Sequence, residues 1–436
     1  MRNKDQKLNR CGDNNDPPEV ITLGCRLNAC ESEVICTLAR AAGLNSQTMI
    51  INTCAVTAEA VRQASQKIRS HRRDVPKAKI VVTGCAAQIE PQRFIEMPEV
   101  DHVIGNSEKL QADVFLSLKQ AKNKYVQVGS IMSVRQEKAH IIDSSTSRTR
   151  AFVRIQNGCD HNCTFCVVPQ SRGPSRSIPA SDIIVQIRRL LKVGHKEIVL
   201  TGVDITSYGN DLAEDINLGC LVRKVLRDVP ELKRLRLSSI DYIEVDTVLL
   251  DCIANEPRLM PHLHLSIQAG HDLILKRMKR RHRRNDVIRF CRQIRTLRPD
   301  VIFGADFIAG FPTETEEMFQ ATLDIVDECD LTYLHVFPFS SRSGTPAAKM
   351  PQLERKIIKQ RSRSLRSKAA IKLAEFFDSQ EGLVHDVLLE KNARGLTPQF
   401  APVKIMNCDQ SAITPGTIVR MKITKHDKKC LFAEQI

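Results

Sequence analysis

The sequence predicts an α/β protein in three parts: an N-terminal parallel-sheet α/β domain, a central partial (β/α) barrel, and a small C-terminal all-β barrel. Three observations predict it. Short apolar strands alternate with amphipathic helices from Val20 onward, six further β/α units begin at Phe152, and from about Val384 the pattern changes to short strands alone.

Each element follows in order. Residues 1–18 form a polar arm. Val20–Leu23 reads as the first strand, and Ser32–Ala42 as a helix with Val34, Ile35, Leu38 and Ala42 on one face. Met49–Asn52 and Ile80–Thr83 are the next strands, with the helix Ala58–Arg73 between them. The first domain is placed at 19–125 and a polar linker at 126–149. A central domain at 150–350 has strands at Phe152–Ile155, Glu197–Leu200, Leu235–Ser238, His262–Ser266, Val301–Asp306 and Leu334–Phe337. A parallel barrel of this kind carries its chemistry at the C-terminal strand ends. A basic connector helix over 351–378 leads to a β-barrel over 379–436, with strands at Val384–Leu389, Ile418–Ile423 and Cys430–Ala433.

Composition narrows the class. Hydrophobic residues at 42% and charged residues at 26% are ordinary for a globular chain, which excludes disorder as the main state. No signal peptide or membrane-spanning stretch is visible, so a cytoplasmic location without a membrane partner is expected. In a reducing compartment the 15 cysteines are expected to bind metal or catalyse rather than pair.

The sharpest local pattern is Cys159-Asp-His-Asn-Cys163-Thr-Phe-Cys166, directly after the first strand of the second series. At this cysteine frequency such a spacing should arise by chance roughly 0.02 times per chain. Three thiolates on one tight loop suit zinc or an iron–sulfur cluster. Zinc would need His161 as the fourth ligand, cramped between Cys159 and Cys163, and no second ligand hook follows downstream. The cluster is the preferred reading. Cys25, Cys54 and Cys85 each follow a predicted strand, about 30 residues apart. In a parallel sheet their loops meet at one edge. They read either as a second ligand triplet or as small buried hydrophobes.

Cys159-x3-Cys163-x2-Cys166, Leu200-Thr201-Gly202 and Gly304-Ala-Asp-Phe-Ile-Ala-Gly-Phe-Pro-Thr-Glu314 together resemble the radical S-adenosylmethionine superfamily. Gly24-Cys25-Arg-Leu-Asn28…Glu31-Ser32-Glu33, Asn52-Thr-Cys54-Ala-Val-Thr57 and Gly84-Cys85-Ala-Ala-Gln88 resemble the three signatures of the methylthiotransferases. Gly24–Asn28, Met278–His282 and His335-Val-Phe-Pro-Phe339 look most like the branch that acts on threonylcarbamoyladenosine in tRNA. One departure is Gln268-Ala269-Gly270, where Ser is usual in the middle. The last 50 or so residues resemble the RNA-binding TRAM domain.

The resemblance implies a radical-SAM-type barrel, two [4Fe–4S] clusters and S-adenosyl-L-methionine. Cys159, Cys163 and Cys166 would hold the radical-generating cluster, and Cys25, Cys54 and Cys85 an auxiliary cluster serving sulfur delivery. Gly202, Ser266, Gln268 and Asp306, at predicted strand ends, would line the methionine or adenosine pocket. The remaining cysteines (Cys11, Cys30, Cys36, Cys220, Cys252, Cys291, Cys329, Cys408 and Cys430) read as structural. The implied reaction adds a methylthio group to C2 of N6-threonylcarbamoyladenosine at position 37, in the anticodon stem-loop of tRNA. It would use a low-potential electron donor and a sulfur source that the residues do not identify. Alternatives are N6-isopentenyladenosine in tRNA, an aspartate of a ribosomal protein, or a non-catalytic metal-containing RNA-binding protein.

Net charge is +15, concentrated in two stretches. Lys276, Arg277, Lys279, Arg280, Arg281, Arg283 and Arg284 fall within nine residues with His282, and a second group runs from Arg355 to Lys368. Opposite charges are nearly absent from both, so contacts to RNA phosphates are expected at Lys276–Arg284, against the alternative of a solvated face.

Overall fold

The computed structural model describes residues 16–137, 139, 149–406 and 414–436. Most of the N-terminal arm, much of the expected linker, Cys11 and Cys408 lie outside the described residues. The chain divides into two compact units, the first running to Val134 with Gln170–Arg172, the second comprising the rest.

The first unit is one parallel sheet, with strands in sequential order: β1 (Glu19–Thr22), β2 (Thr48–Thr53), β3 (Lys79–Gly84), β4 (His102–Ile104) and β5 (Tyr125–Gln127). Every residue of β2 is buried, as the unbroken run Met49-Ile50-Ile51 requires of a strand covered on both faces. Helix α1 spans Arg26–Ala41 and α2 spans Ala58–Asp74. The start of α2 is as expected, because the Thr57 hydroxyl accepts from the Ala60 amide at 3.1 Å. Helix α1 begins six residues before Ser32: Cys25 occupies its N-cap with no side-chain capping bond, so the usual start signal is missing. β4 and β5 have three residues each, too short for periodicity to reveal, and β5 crosses the expected boundary at residue 125.

The second unit begins with β6 (Arg150–Arg154), followed by α3 (Ala180–Lys192), β7 (Glu197–Thr201), α4 (Leu218–Asp228), β8 (Arg234–Leu237), α5 (Thr247–Asn255) and β9 (His262–Gln268). Then come α6 (Arg284–Leu297), β10 (Ile302–Ala309), α7 (Glu316–Glu328) and β11 (Leu331–Pro338). β6, β7 and β8 pair in parallel, as do β9, β10 and β11, and the bridge Ile240–Leu265 joins the two groups. Among the described residues no ladder joins β6 to β11, so the barrel is partial, as expected.

Alternation along these strands separates two environments. Leu263, Leu265, Ile267, Phe303, Ala305 and Phe307 pack into the main core, where Cys252, Cys291 and Cys329 also lie. The opposite, inner face is polar: Glu197 binds Arg236 at 3.0 Å, both fully buried, and His262 and His264 line β9.

Helix α8 (Arg355–Gln380) leads into a closed barrel of β12 (Val384–Glu390), β13 (Arg394–Leu396), β14 (Pro402–Ile405), β15 (Ile418–His426) and β16 (Leu431–Gln435). Val387, Leu389, Val403, Met421, Ile423 and Leu431 fill it, with Phe377 of α8 closing one side. Phe400, between β13 and β14, stacks on His262 with centroids 5.2 Å apart, and the Arg150 and Arg236 guanidinium groups lie 5.1 and 5.0 Å from its ring.

Candidate functional sites: two cysteine triplets

In the first unit, Cys25, Cys54 and Cys85 follow the C-terminal ends of β1, β2 and β3, which are neighbours in the sheet. The parallel topology thus brings together residues far apart in sequence. Gly24 has φ +98°, and a Cβ there would lie 2.6 Å from Cys54 Cβ, so only glycine permits this approach. Cys25 is exposed, whereas Cys54 and Cys85 are buried.

Next to these thiols lies a buried ion set. Glu31 of α1 binds Lys109 Nζ at 2.6 Å and takes two bonds from Arg172, at 2.8 and 3.0 Å. Arg172 also donates to Asn28 Oδ1 at 2.6 Å. Asn28 in turn bonds Leu23 O and Thr53 O, fixing the turns that carry Cys25 and Cys54. Asn106 Nδ2 reaches Cys85 Sγ at 3.7 Å. Burial alone would raise the Cys85 thiol, but Arg172 and then Lys109 outweigh it and bring it below its ordinary value. Cys54 is pushed up to about 12, by burial and then by Cys85. In their charged forms two cations share one carboxylate, leaving one positive charge beside three thiols. That balance fits an anionic, thiolate-bound group: three thiolates on a [4Fe–4S]²⁺ core sum to one negative charge. Asn28 and Glu31 stand in the methylthiotransferase signatures, but Asn106, Lys109 and Arg172 carried no sequence signal.

In the second unit, Cys159, Cys163 and Cys166 lie half-buried on one loop. The short ladder Gln156–Asn157 with Arg176–Ser177 closes its base. Gly158 has φ +76°, and a Cβ there would lie 1.8 Å from Pro174 O. Backbone bonds fix the loop: Cys159 N to Gly173 O, Cys166 N to Cys163 O and Thr164 N to Met278 O, each at 3.1 Å. N–H groups approach these sulfurs, among them Val168 N to Cys166 Sγ at 3.4 Å and Arg280 Nη1 to Cys163 Sγ at 3.6 Å. His161 instead turns to Asp204, with Nε2 2.8 Å from Oδ2. The hydrogen bond to Asp204 holds the His161 pKa above its ordinary value. Three cysteines fit a cluster with one open iron.

The four expected pocket residues divide. Gly202 follows β7, where a Cβ would meet Gln156 O at 2.9 Å. Ser266 and Gln268 lie at the end of β9, across a register irregularity, and Gln268 has φ +73°. Asp306 is not at a strand end, because β10 continues to Ala309. It lies within the barrel, bonded to His264 and His335.

The basic stretch also divides. Lys276, Lys279, Arg281 and Arg283 are exposed. Arg280 is turned inward, its side chain 8% exposed and 2.9 Å from Asp241, so it is not a surface phosphate contact. Arg277 bonds Thr313, Arg281 binds Glu244 at 2.7 Å, and Arg284 binds Glu328. Acids from other elements thus neutralise part of a stretch that holds almost none of its own. In the second basic group, Arg361 is buried against Glu314 at 2.9 Å.

Comparison with known proteins agrees with this geometry. Residues 153–326 match the family described as the radical SAM superfamily, and residues 19–105 match "Uncharacterized protein family UPF0004". A radical SAM methyltransferase, TsrM from Kitasatospora setae, covers 72% of this chain and 66% of its own at a TM-score of 0.53 and 16% identity, a likeness of fold. Fold and cysteine loop together define a radical SAM enzyme. The threonylcarbamoyladenosine tRNA methylthiotransferase MtaB of Rickettsia prowazekii is 49% identical over 90% of this chain and 92% of its own length. A tRNA-2-methylthio-N(6)-dimethylallyladenosine synthase of Syntrophotalea carbinolica is 31% identical over 92% and 96%. The chain belongs to the radical SAM methylthiotransferase family, whose chemistry uses a [4Fe–4S] cluster and S-adenosylmethionine.

Proposed function

We propose that this protein adds a methylthio group to C2 of N6-threonylcarbamoyladenosine at position 37 of tRNA. The observation that carries the reading is the pair of separate cysteine triplets, one on a loop and one across a sheet edge beside a surplus buried cation. Identity of 49% to a threonylcarbamoyladenosine enzyme, against 31% to a dimethylallyladenosine enzyme, favours the branch. Cys159, Cys163 and Cys166 hold the radical-generating cluster, and Cys25, Cys54 and Cys85 hold the auxiliary one. When bound, the two clusters and S-adenosylmethionine supply the electron, the radical, the sulfur and the methyl group.

The chain's own residues do the rest. Arg280 directs an N–H at Cys163 sulfur while Asp241 and Ser266 O fix its guanidinium. The positive charges of Arg172 and Lys109 lie close enough to Cys85 to bring its thiol below its ordinary value. Gly202, Ser266 and Gln268 line the S-adenosylmethionine pocket. Lys276, Lys279 and Arg283 face solvent and contact phosphates of the anticodon stem-loop. The functional divisions are 19–125, a linker at 126–149, a radical SAM domain at 150–350, the connector at 351–378 and a TRAM-like barrel at 379–436. Among the described residues no helix is long and apolar enough to cross a membrane; the assigned location is cytoplasmic, with a low-potential electron donor as partner.

Mass spectrometry of tRNA nucleosides from a deletion strain tests this. Loss of the methylthio-threonylcarbamoyl species is expected; loss of the isopentenyl species instead, or unchanged nucleosides, would overturn it. Replacing Lys276, Lys279 and Arg283 with alanine should weaken tRNA binding and flatten its salt slope by roughly one for each phosphate left without its cation. An unchanged slope would leave these residues a solvated face.

A further inference from the structure

On the inner face of the barrel, His264, Asp306 and His335 form a polar cluster that the cysteine chemistry leaves unused. Along β9, β10 and β11, side-chain alternation sends Leu265 and Phe307 into the core and leaves His264, Asp306 and His335 on the opposite face. Asp306 and His335 are direct partners in the β10–β11 ladder. One oxygen of Asp306, Oδ1, meets His264 Nε2 at 3.0 Å and His335 Nδ1 at 3.1 Å, and the two imidazole centroids lie 4.5 Å apart. Opposite His264 on β10 stands Gly304, where a Cβ would lie 2.4 Å from Nδ1, so the ring occupies space that any other residue would fill. Exposure rises from 7% at His264 through 20% at Asp306 to 56% at His335, so the cluster opens on one side only, through His335. His262, two residues before His264 on β9, stacks on Phe400.

We propose that His335, oriented by Asp306 and backed by His264, determines substrate specificity by binding the carboxylate of the adenine's N6 substituent. This rests on the functional reading above. The two candidate tRNA substrates differ in just this respect: an isopentenyl group is apolar, whereas a threonylcarbamoyl group ends in a carboxylate. An apolar tail would leave this polar cluster desolvated and unmatched. A carboxylate meets an N–H donor whose ring is already fixed through its other nitrogen. With Asp306 accepting at Nδ1, a protonated His335 presents its Nε2–H to the ligand. Asp306 and His264 are positioning residues here; the contact is made by His335.

The test uses the reconstituted full-length enzyme and two anticodon stem-loops, one with the natural threonylcarbamoyl group and one with its carboxylate capped as the carboxamide. Wild type should prefer the carboxylate by about tenfold or more in KM, as expected for a charge-assisted hydrogen bond. His335→Gln, exposed enough to leave the melting temperature unchanged, should treat the two within about twofold at little change in kcat, and Asp306→Asn should lose part of the preference. A His335→Gln enzyme that keeps the full preference overturns the inference alone. So does a stoichiometric divalent metal, outside the clusters, that disappears on His335→Gln, because two histidines and a carboxylate are also a metal-ligand set. Wild type that methylthiolates neither stem-loop overturns the functional reading as well as the inference.

Discussion

Replacing Cys159, Cys163 and Cys166 together with alanine should abolish 5′-deoxyadenosine formation from S-adenosylmethionine. The three thiols share one loop, and alanine offers no lone pair to iron. The loop itself should survive. Its bonds to Gly173 and Met278 come from backbone groups and Thr164, which the substitutions leave in place, and Gly158 keeps the close approach to Pro174. Loss of ligation should therefore exceed the roughly 10–100-fold that removing an outer partner of a metal ligand costs. The product is measured by chromatography after anaerobic reconstitution with a reductant, alongside a melting curve. Undiminished 5′-deoxyadenosine would refute the role assigned to this triplet; loss of product together with loss of the melting transition would trace the effect to folding.

The second large effect is expected at Glu31. Its carboxylate is 1% exposed and is shared by Lys109, itself fully buried, and by Arg172. Glu31→Gln keeps the shape but strands two cations where water cannot reach them. Breaking a buried ion set in this way costs about 3–5 kcal/mol, because the remaining charges lose their partner without regaining hydration. Chemical denaturation of the first unit should show that loss, and a change below about 1 kcal/mol would contradict the charge balance described here. Arg172→Lys should also destabilise, since a single ammonium cannot span both Glu31 oxygens and Asn28 Oδ1.

The two sites differ in how much of them the sequence reveals. Cys159, Cys163 and Cys166 lie within eight residues, so their spacing alone marks a ligand set and favours a cluster over zinc, while the radical chemistry came from resemblance. Cys25, Cys54 and Cys85 become legible only through topology: each follows a strand, and parallel pairing puts the strand ends side by side. Motif resemblance was needed to choose between a ligand set and buried hydrophobes. Arg172 was invisible, because it lies six residues beyond Cys166 in sequence yet belongs with Glu31 and Lys109. The barrel strands were readable because their outer face is a regular series of Leu, Ile, Val and Phe. Their ends were not: β10 runs three residues past Asp306, which moves that residue from a strand end into the barrel. Charge misled for a related reason. Arg280 looks like one more cation in a basic run, but Asp241, remote in sequence, draws it inward toward Cys163.

The central claim is that one chain holds two clusters on two separate cysteine triplets, and iron content tests it most directly. After anaerobic reconstitution, wild type should contain about eight irons per chain, and about four should remain when either Cys25, Cys54 and Cys85 or Cys159, Cys163 and Cys166 are replaced by alanine. About four irons in wild type, unchanged when Cys25, Cys54 and Cys85 are replaced, would contradict it.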